Sequence, residues 1–178
     1  MSTTPLMAWH YTTADCLQGI EASSIIRPAI AGIPLSERPV AWFSLNQRFE
    51  PTAAKGLIDP VTRVQRSATI AEMMEFCGGL VRLGVPVREL LTGEALRRKA
   101  RISNSTWRQL CAAGAACGAS PSQWFGFVGS VELARCTVQH LDPSTNTWGA
   151  MCADSATATK AAPQRNQPSM ADTPPNKG

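Results

Sequence analysis

The 178-residue chain is short of charge and of titratable side chains. Asp, Glu, Lys and Arg make up 17 % of it, against about 25 % in an average soluble domain, which excludes a highly charged disordered chain. It has two histidines, His10 and His140, and one tyrosine, Tyr11. A Ser-His-Asp triad would have to use one of those two imidazoles, and neither has a nucleophile motif beside it. No run approaches the roughly 18 apolar residues of a membrane-spanning helix, and the first residues lack the basic and apolar regions of a secretory signal. A cytoplasmic protein without a membrane partner is expected. The six cysteines include no C-x2-C or C-x4-C pair; Cys111 and Cys117 are six apart and the others stand alone. With the two histidines they fit no zinc grammar, so no metal is expected, and free, mostly buried thiols are the natural reading. Also missing are the phosphate loop G-x-x-x-x-G-K-S/T, the dinucleotide fingerprint G-x-G-x-x-G, the nucleophile elbow G-x-S-x-G and the zinc-protease H-E-x-x-H.

What is present divides the chain in two. From Ala153 onward Ser, Thr, Ala, Pro, Gln and Asn dominate, and four prolines interrupt any helix. Such a segment buries too little surface to offset its ordering entropy, so residues 153–178 are expected to be a disordered tail behind one domain over residues 1–152. Seventeen basic residues face thirteen acidic ones, a formal net charge of +4. Most of that excess belongs to the first 152 residues. No internal repeat is evident.

Patterning predicts a mixed α+β domain with short strands. Ala8 to Tyr11 reads as a first strand, followed by a helix over Ala14 to Ala22 capped by Thr12 or Thr13. Ser24 to Pro28 is extended and stopped by its proline. Val40 to Leu45 is an apolar, aromatic strand. A helix over Thr69 to Phe76 stopped by Gly78-Gly79, a strand over Leu80 to Val85 and a basic helix over Glu94 to Arg101 come next. A helix over Thr106 to Cys117, a turn at Ser120-Pro121-Ser122, a late strand over Leu133 to Leu141 and a last one over Thr147 to Met151 complete the reading. The irregular alternation with long connections favours α+β over a doubly wound sheet. Trp107, Trp124 and Trp148 are expected to pack in the core.

Two groups of residues carry functional signals. The first is positional: Trp9-His10-Tyr11-Thr12 opens the chain, and after a helix and Ile25-Ile26-Arg27-Pro28 comes Val40-Ala41-Trp42-Phe43-Ser44. This order resembles the mono-ADP-ribosyltransferase-like fold, in particular its small prokaryotic and phage members. The resemblance implies NAD as the cofactor, consumed as substrate. It implies that His10, with Tyr11 and Thr12, contacts the NAD ribose and that Phe43 and Ser44 flank the nicotinamide. Transfer of ADP-ribose to a macromolecular acceptor, expected to be a protein, follows from the same resemblance.

The transition state for loss of nicotinamide is oxocarbenium-like, so a carboxylate near the ribose is needed. The resemblance implies that this acid comes from a late strand, where the chain has Gln139; Glu132 and Glu50 are the other candidates. Arg27 and Arg82 are candidate pyrophosphate contacts, since two phosphates call for a cation or a helix N-terminus.

The second signal is a basic cluster. Arg88, Arg97, Arg98, Lys99, Arg101 and Arg108 face only Glu89 and Glu94 over the same segment. Arg97, Arg98, Lys99 and Arg101 therefore suggest a partner-binding face for an acidic protein or a nucleic acid. The alternative function is a non-enzymatic protein of a phage or mobile element that blocks a host complex through this surface.

Overall fold

The computed structural model describes residues 5–59 and 61–150. The expected tail over 153–178 and the domain's end at 152 lie outside the described residues. Alternating side chains build the first strand, β1 (Met7–Thr13), whose last residue caps α1 (Ala14–Ser23) by accepting a hydrogen bond from the Cys16 N–H. Such a cap satisfies one of the helix's orphan donors. The helix stops at Ser24, which takes the left-handed conformation at φ 57°. Two short strands follow, β2 (Ile25–Ile26) and β3 (Val40–Ser44), then a small hairpin of β4 (Gly56–Ile58) and β5 (Gln65–Ser67).

Thr69 and Glu72 form a reciprocal capping box that starts α2 (Ile70–Phe76). Arg66 pairs with the same glutamate, and together the cap and the arginine hold the Glu72 carboxyl down at about 2. The remaining elements are β6 (Leu80–Pro86), β7 (Leu91–Thr92), α3 (Gly93–Lys99), α4 (Asn104–Ala116), β8 (Trp124–Val128), β9 (Val131–Glu132), β10 (Thr137–Asp142) and β11 (Thr147–Gly149).

Seven strands form one antiparallel sheet in the order β11-β10-β6-β1-β3-β8-β7, so the described chain is a single mixed α+β domain with four helices. One face is closed. Ala8, Ala41, Phe43, Val81, Leu83, Val85 and Phe125 point into a continuous apolar core, covered by Leu17 of α1 and by Ile26 and Val131 of the paired β2 and β9.

The opposite face is divided between two smaller clusters. Leu80 and Leu141 meet Met73 of α2 on one side, and Val40 meets Leu96 and Ala100 of α3 on the other. Between them the strands present Trp9, Tyr11, Trp42, Ser44, Arg82 and Trp124, which follows from the registers Trp9↔Ser44, Tyr11↔Arg82 and Ser44↔Trp124.

Several expectations change at the edges. The strand expected from Leu133 begins at Thr137, because Leu133–Arg135 close a 3-10 turn whose first N–H is taken by the Ser24 carbonyl. The strand β8 lies in a stretch read only as containing a core tryptophan; its central Gly126 interrupts an otherwise strand-like Trp-Phe-x-Phe-Val, and a bare Cα there is required by the packing. A Cβ on it would fall 2.5 Å from the Val40 side chain. The last strand ends at Gly149, and Met151 is not among the described residues. The five described thiols are free, but none of them is buried: Cys16 lies on α1 and Cys117 at the C-cap of α4, both exposed.

Candidate active site

The site begins where a ladder stops. β1 pairs with β6 along its whole length, from Met7↔Pro86 to Thr13↔Leu80, yet with β3 it shares the single register pair Trp9↔Ser44. Beyond that pair the strands diverge, and the His10 side chain bridges the gap: Nδ1 lies 2.9 Å from the Trp42 carbonyl oxygen. A carbonyl only accepts, so Nδ1 carries a proton and donates it. Burial pushes the His10 pKa down, which favours the neutral ring and leaves Nε2 as an acceptor lone pair.

The divergence opens a cleft of about 680 Å³. Its walls hold His10, Tyr11 and Thr12 from β1 and Trp42, Phe43 and Ser44 from β3, with Glu50 and Trp124 beside them. The apolar side of α4, through Leu110, Ala113 and Gly114, closes it.

Glu50 is the electrostatic centre of this cleft. It caps a short 3-10 turn over Pro51–Ala53 and is only 6 % exposed. Its Oε1 accepts from the Thr52 hydroxyl at 2.9 Å, the Thr52 N–H at 3.4 Å and the Trp124 indole N–H at 3.3 Å. Its Oε2 is buried and, among the described residues, has no hydrogen-bond partner. A carboxylate oxygen left so is costly, by about 1–3 kcal/mol or more.

The indole that holds Oε1 reaches it because α4 has a glycine where it crosses: a Cβ on Gly114 would sit 2.4 Å from the Trp124 ring. Trp42 meets Trp124 edge to face at 6.1 Å and stacks on Trp107 at 6.3 Å. The cleft thus combines one buried carboxylate with aromatic walls. That combination suits a flat ring with positive charge.

The neighbouring polar groups are differently engaged. The Tyr11 hydroxyl donates to the Asn46 carbonyl, and burial pushes its pKa up. Ser44 is 1 % exposed and its Oγ accepts from the Asn46 N–H at 3.1 Å, so it caps the following loop while keeping its own proton to donate. Phe43 packs with the closed core and lies 5.8 Å from the His10 ring.

Of the residues singled out by sequence, His10, Tyr11, Thr12, Phe43, Ser44 and Glu50 come together on this cleft. Arg27 does not line it; it borders an adjoining depression of about 260 Å³ that also reaches His10. Arg82 is buried behind the cleft with its guanidinium over the rings of both Trp9 and Trp148, and Gln139 accepts from its Nε at 2.8 Å. Gln139 is therefore an arginine partner and is not brought to the cleft. Glu132 is exposed on β9, paired with Ile25 on the closed side of the sheet.

Among the described residues the one cation on the cleft wall is Lys55, which sequence reading missed. It sits five residues beyond Glu50 in an irregular stretch with no motif to flag it. The basic cluster runs from Arg88, ahead of β7, through α3 to Arg108 of α4, and none of its members lines the cleft. Arg97 is largely tied down, donating to both Glu94 oxygens and to the Ile102 carbonyl, while Arg98, Lys99 and Arg101 are exposed. Arg98 also lies 3.6 Å from Glu94, so the field of this patch is partly neutralised.

Among the described residues no helix is long and apolar enough to cross a membrane, and no group of three or more His, Cys, Asp and Glu side chains is placed to hold a metal ion. Comparison of the chain with family models, curated proteins and solved structures found no match.

Proposed function

We propose that the chain is a NAD-dependent mono-ADP-ribosyltransferase-like enzyme, with an ADP-ribosyltransferase-like fold, that modifies a macromolecular acceptor, in first place a protein. The observation that carries this reading is the buried, unpartnered Oε2 of Glu50 in a cleft shared with His10, Ser44 and aromatic walls. The nicotinamide ring of NAD is cationic and flat, which suits indole faces beside a carboxylate. Substrate entry parts the cleft wall at Glu50, and its Oε2, buried in the free chain, then accepts from a hydroxyl of the nicotinamide ribose. As the glycosidic bond breaks, its electron pair leaves with nicotinamide, and the negative charge of Glu50 stabilises the positive charge that grows on the ribose. An acceptor nucleophile then bonds to the same anomeric carbon and gives up its proton. His10, fixed with Nε2 as acceptor, receives a ribose hydroxyl, and Lys55 meets the pyrophosphate.

The test is incubation of the full chain with NAD labelled in its adenylate half and a protein extract. A labelled acceptor is expected from the wild type and none from Glu50→Gln. The absence of both a labelled product and any heat-stabilisation by NAD would overturn the reading.

A further inference from the structure

Glu50 follows a loop that has little apolar content of its own, Leu45-Asn46-Gln47-Arg48-Phe49, and two of whose residues, Gln47 and Arg48, are exposed. Such a segment is ordinarily among the first to open locally. Here its backbone and side chains are held by donors from three different strands. Tyr11 of β1 donates to the Asn46 carbonyl, Trp9 of β1 donates to Gln47 Oε1 at 3.0 Å, and Trp148 of β11 donates to the Arg48 carbonyl at 2.9 Å. Arg82 of β6 completes the set, with Nη1 2.6 Å from the Gln47 carbonyl.

Arg82 is also what unites these donors. It is 7 % exposed, has no carboxylate partner among its hydrogen bonds, and its guanidinium lies 3.9 Å from the centre of the Trp9 ring and 4.6 Å from that of Trp148. A buried guanidinium without a carboxylate is expensive unless it does something its neighbours need. Its planar fork serves Gln139 with one N–H and the loop carbonyl with another, while its cationic centre lies over both of the indoles that grip the same loop.

We infer that Arg82 is a positioning residue for the active carboxylate, a latch that acts through the Asn46–Phe49 loop to hold Glu50 in the cleft; this rests on the proposed role of Glu50. Lys at this position keeps the charge and donates from a single nitrogen, but loses the planar group and the fork that reaches Gln139 and the loop at once. Gln loses the charge as well. A misplacement of the acid by about 1 Å is enough to cost on the order of 100-fold in rate.

The test compares Arg82→Lys, Arg82→Gln and the milder Gln139→Ala with the wild-type full chain by two readouts. The first is amide hydrogen exchange, resolved for residues 45–52 against the strands β1 and β6. The second is turnover of NAD, with kcat and KM separated. Exchange should quicken selectively in residues 45–52 in all three variants, most in Arg82→Gln. The kcat should fall by about 10- to 100-fold in Arg82→Gln and less in Arg82→Lys, with KM for NAD within about threefold of wild type.

Unchanged exchange in residues 45–52 overturns the latch whatever the kinetics, as does exchange that quickens equally across β1 and β6, since that reports a purely structural arginine. Quickened loop exchange with unchanged kcat overturns the link to Glu50. If the wild type does not turn NAD over at all, the proposed reaction fails, and the exchange comparison still decides whether Arg82 holds the loop.

Discussion

The two faces of the sheet are made by the same strands and differ in what they leave unsatisfied. On the closed face, Leu83 and Val81 are fully buried among other hydrocarbon groups, and the core is continuous under α1, β2 and β9. On the divided face the core breaks into two clusters, and the space between them holds Glu50, Ser44 and Arg82 at no more than 7 % exposure. The closed face is mostly hydrocarbon, and His10 and Phe43, on its side of β1 and β3, reach the cleft where those strands part. The divided face contains a carboxylate oxygen that stability gives no reason to keep.

Substitutions should separate the faces, beginning with the largest effect. Glu50→Gln keeps an acceptor for Thr52 and Trp124 and replaces the free oxygen with an amide. Label transfer from NAD should fall by at least ~100-fold, as for other groups aimed at developing charge, while thermal stability holds or rises. Leu83→Ala should do the reverse: a loss of about 2–5 kcal/mol in denaturant titration, with the activity of the remaining folded protein close to wild type.

Gly114→Ala tests the wall of the cleft, since its methyl group meets the Trp124 ring. It should cost about 1–3 kcal/mol from overpacking and, by displacing the indole that holds Glu50, should lower activity as well. Gly84→Ala makes the same clash with Trp9 and should cost a similar amount of stability.

A smaller effect belongs to His10. Its folded-state pKa is below the ordinary 6.5 because of burial, so the unfolded chain takes up the proton first as the pH falls. Stability should therefore decline as pH drops through about 6.5 toward the depressed folded value. His140 is shifted in the same direction, so the decline that disappears in His10→Asn, read as melting temperature against pH, isolates the first histidine. A pH dependence unaltered in that variant would remove His10 from the account of burial at the strand divergence. The least of these changes is Thr69→Ala, which opens the capping box of α2 and should cost ~1 kcal/mol with no change in kcat.

The sequence made the closed face easy to read and the divided face only partly so. Leu80 to Val85 and Val40 to Leu45 announce strands by their apolar and β-branched runs, and the capped helices α1, α2 and α4 start within two residues of their expected positions. The hairpin of β4 and β5 has little apolar alternation, and β8 hides behind Gly126, a residue whose need is set by Val40 and Leu96 from distant parts of the chain. At the site, a resemblance in order and spacing singled out His10, Thr12 and Ser44, and the fold brings all three to one cleft.

The choice among Glu50, Glu132 and Gln139 was not legible, because it depends on which of them the fold buries beside Trp124. Burial separates them: Glu50 lies within the cleft, Glu132 is exposed, and Gln139 is occupied by Arg82. Arg82 itself was read as a phosphate contact from its place on a strand and the need of two phosphates for a cation. Its place over two indoles comes from Trp9 and Trp148, which stand at opposite ends of the described chain.

The most direct measurement sets Glu50→Gln beside the wild type on two scales, transfer of label from NAD and melting temperature, in the same preparation. Label transfer should be lost while the melting temperature stays level or rises, as expected when a buried unpaired oxygen is retained for chemistry. Transfer that persists in Glu50→Gln, or a fall in melting temperature as large as that of Leu83→Ala, would contradict a catalytic role for Glu50 and return the divided face to structure alone.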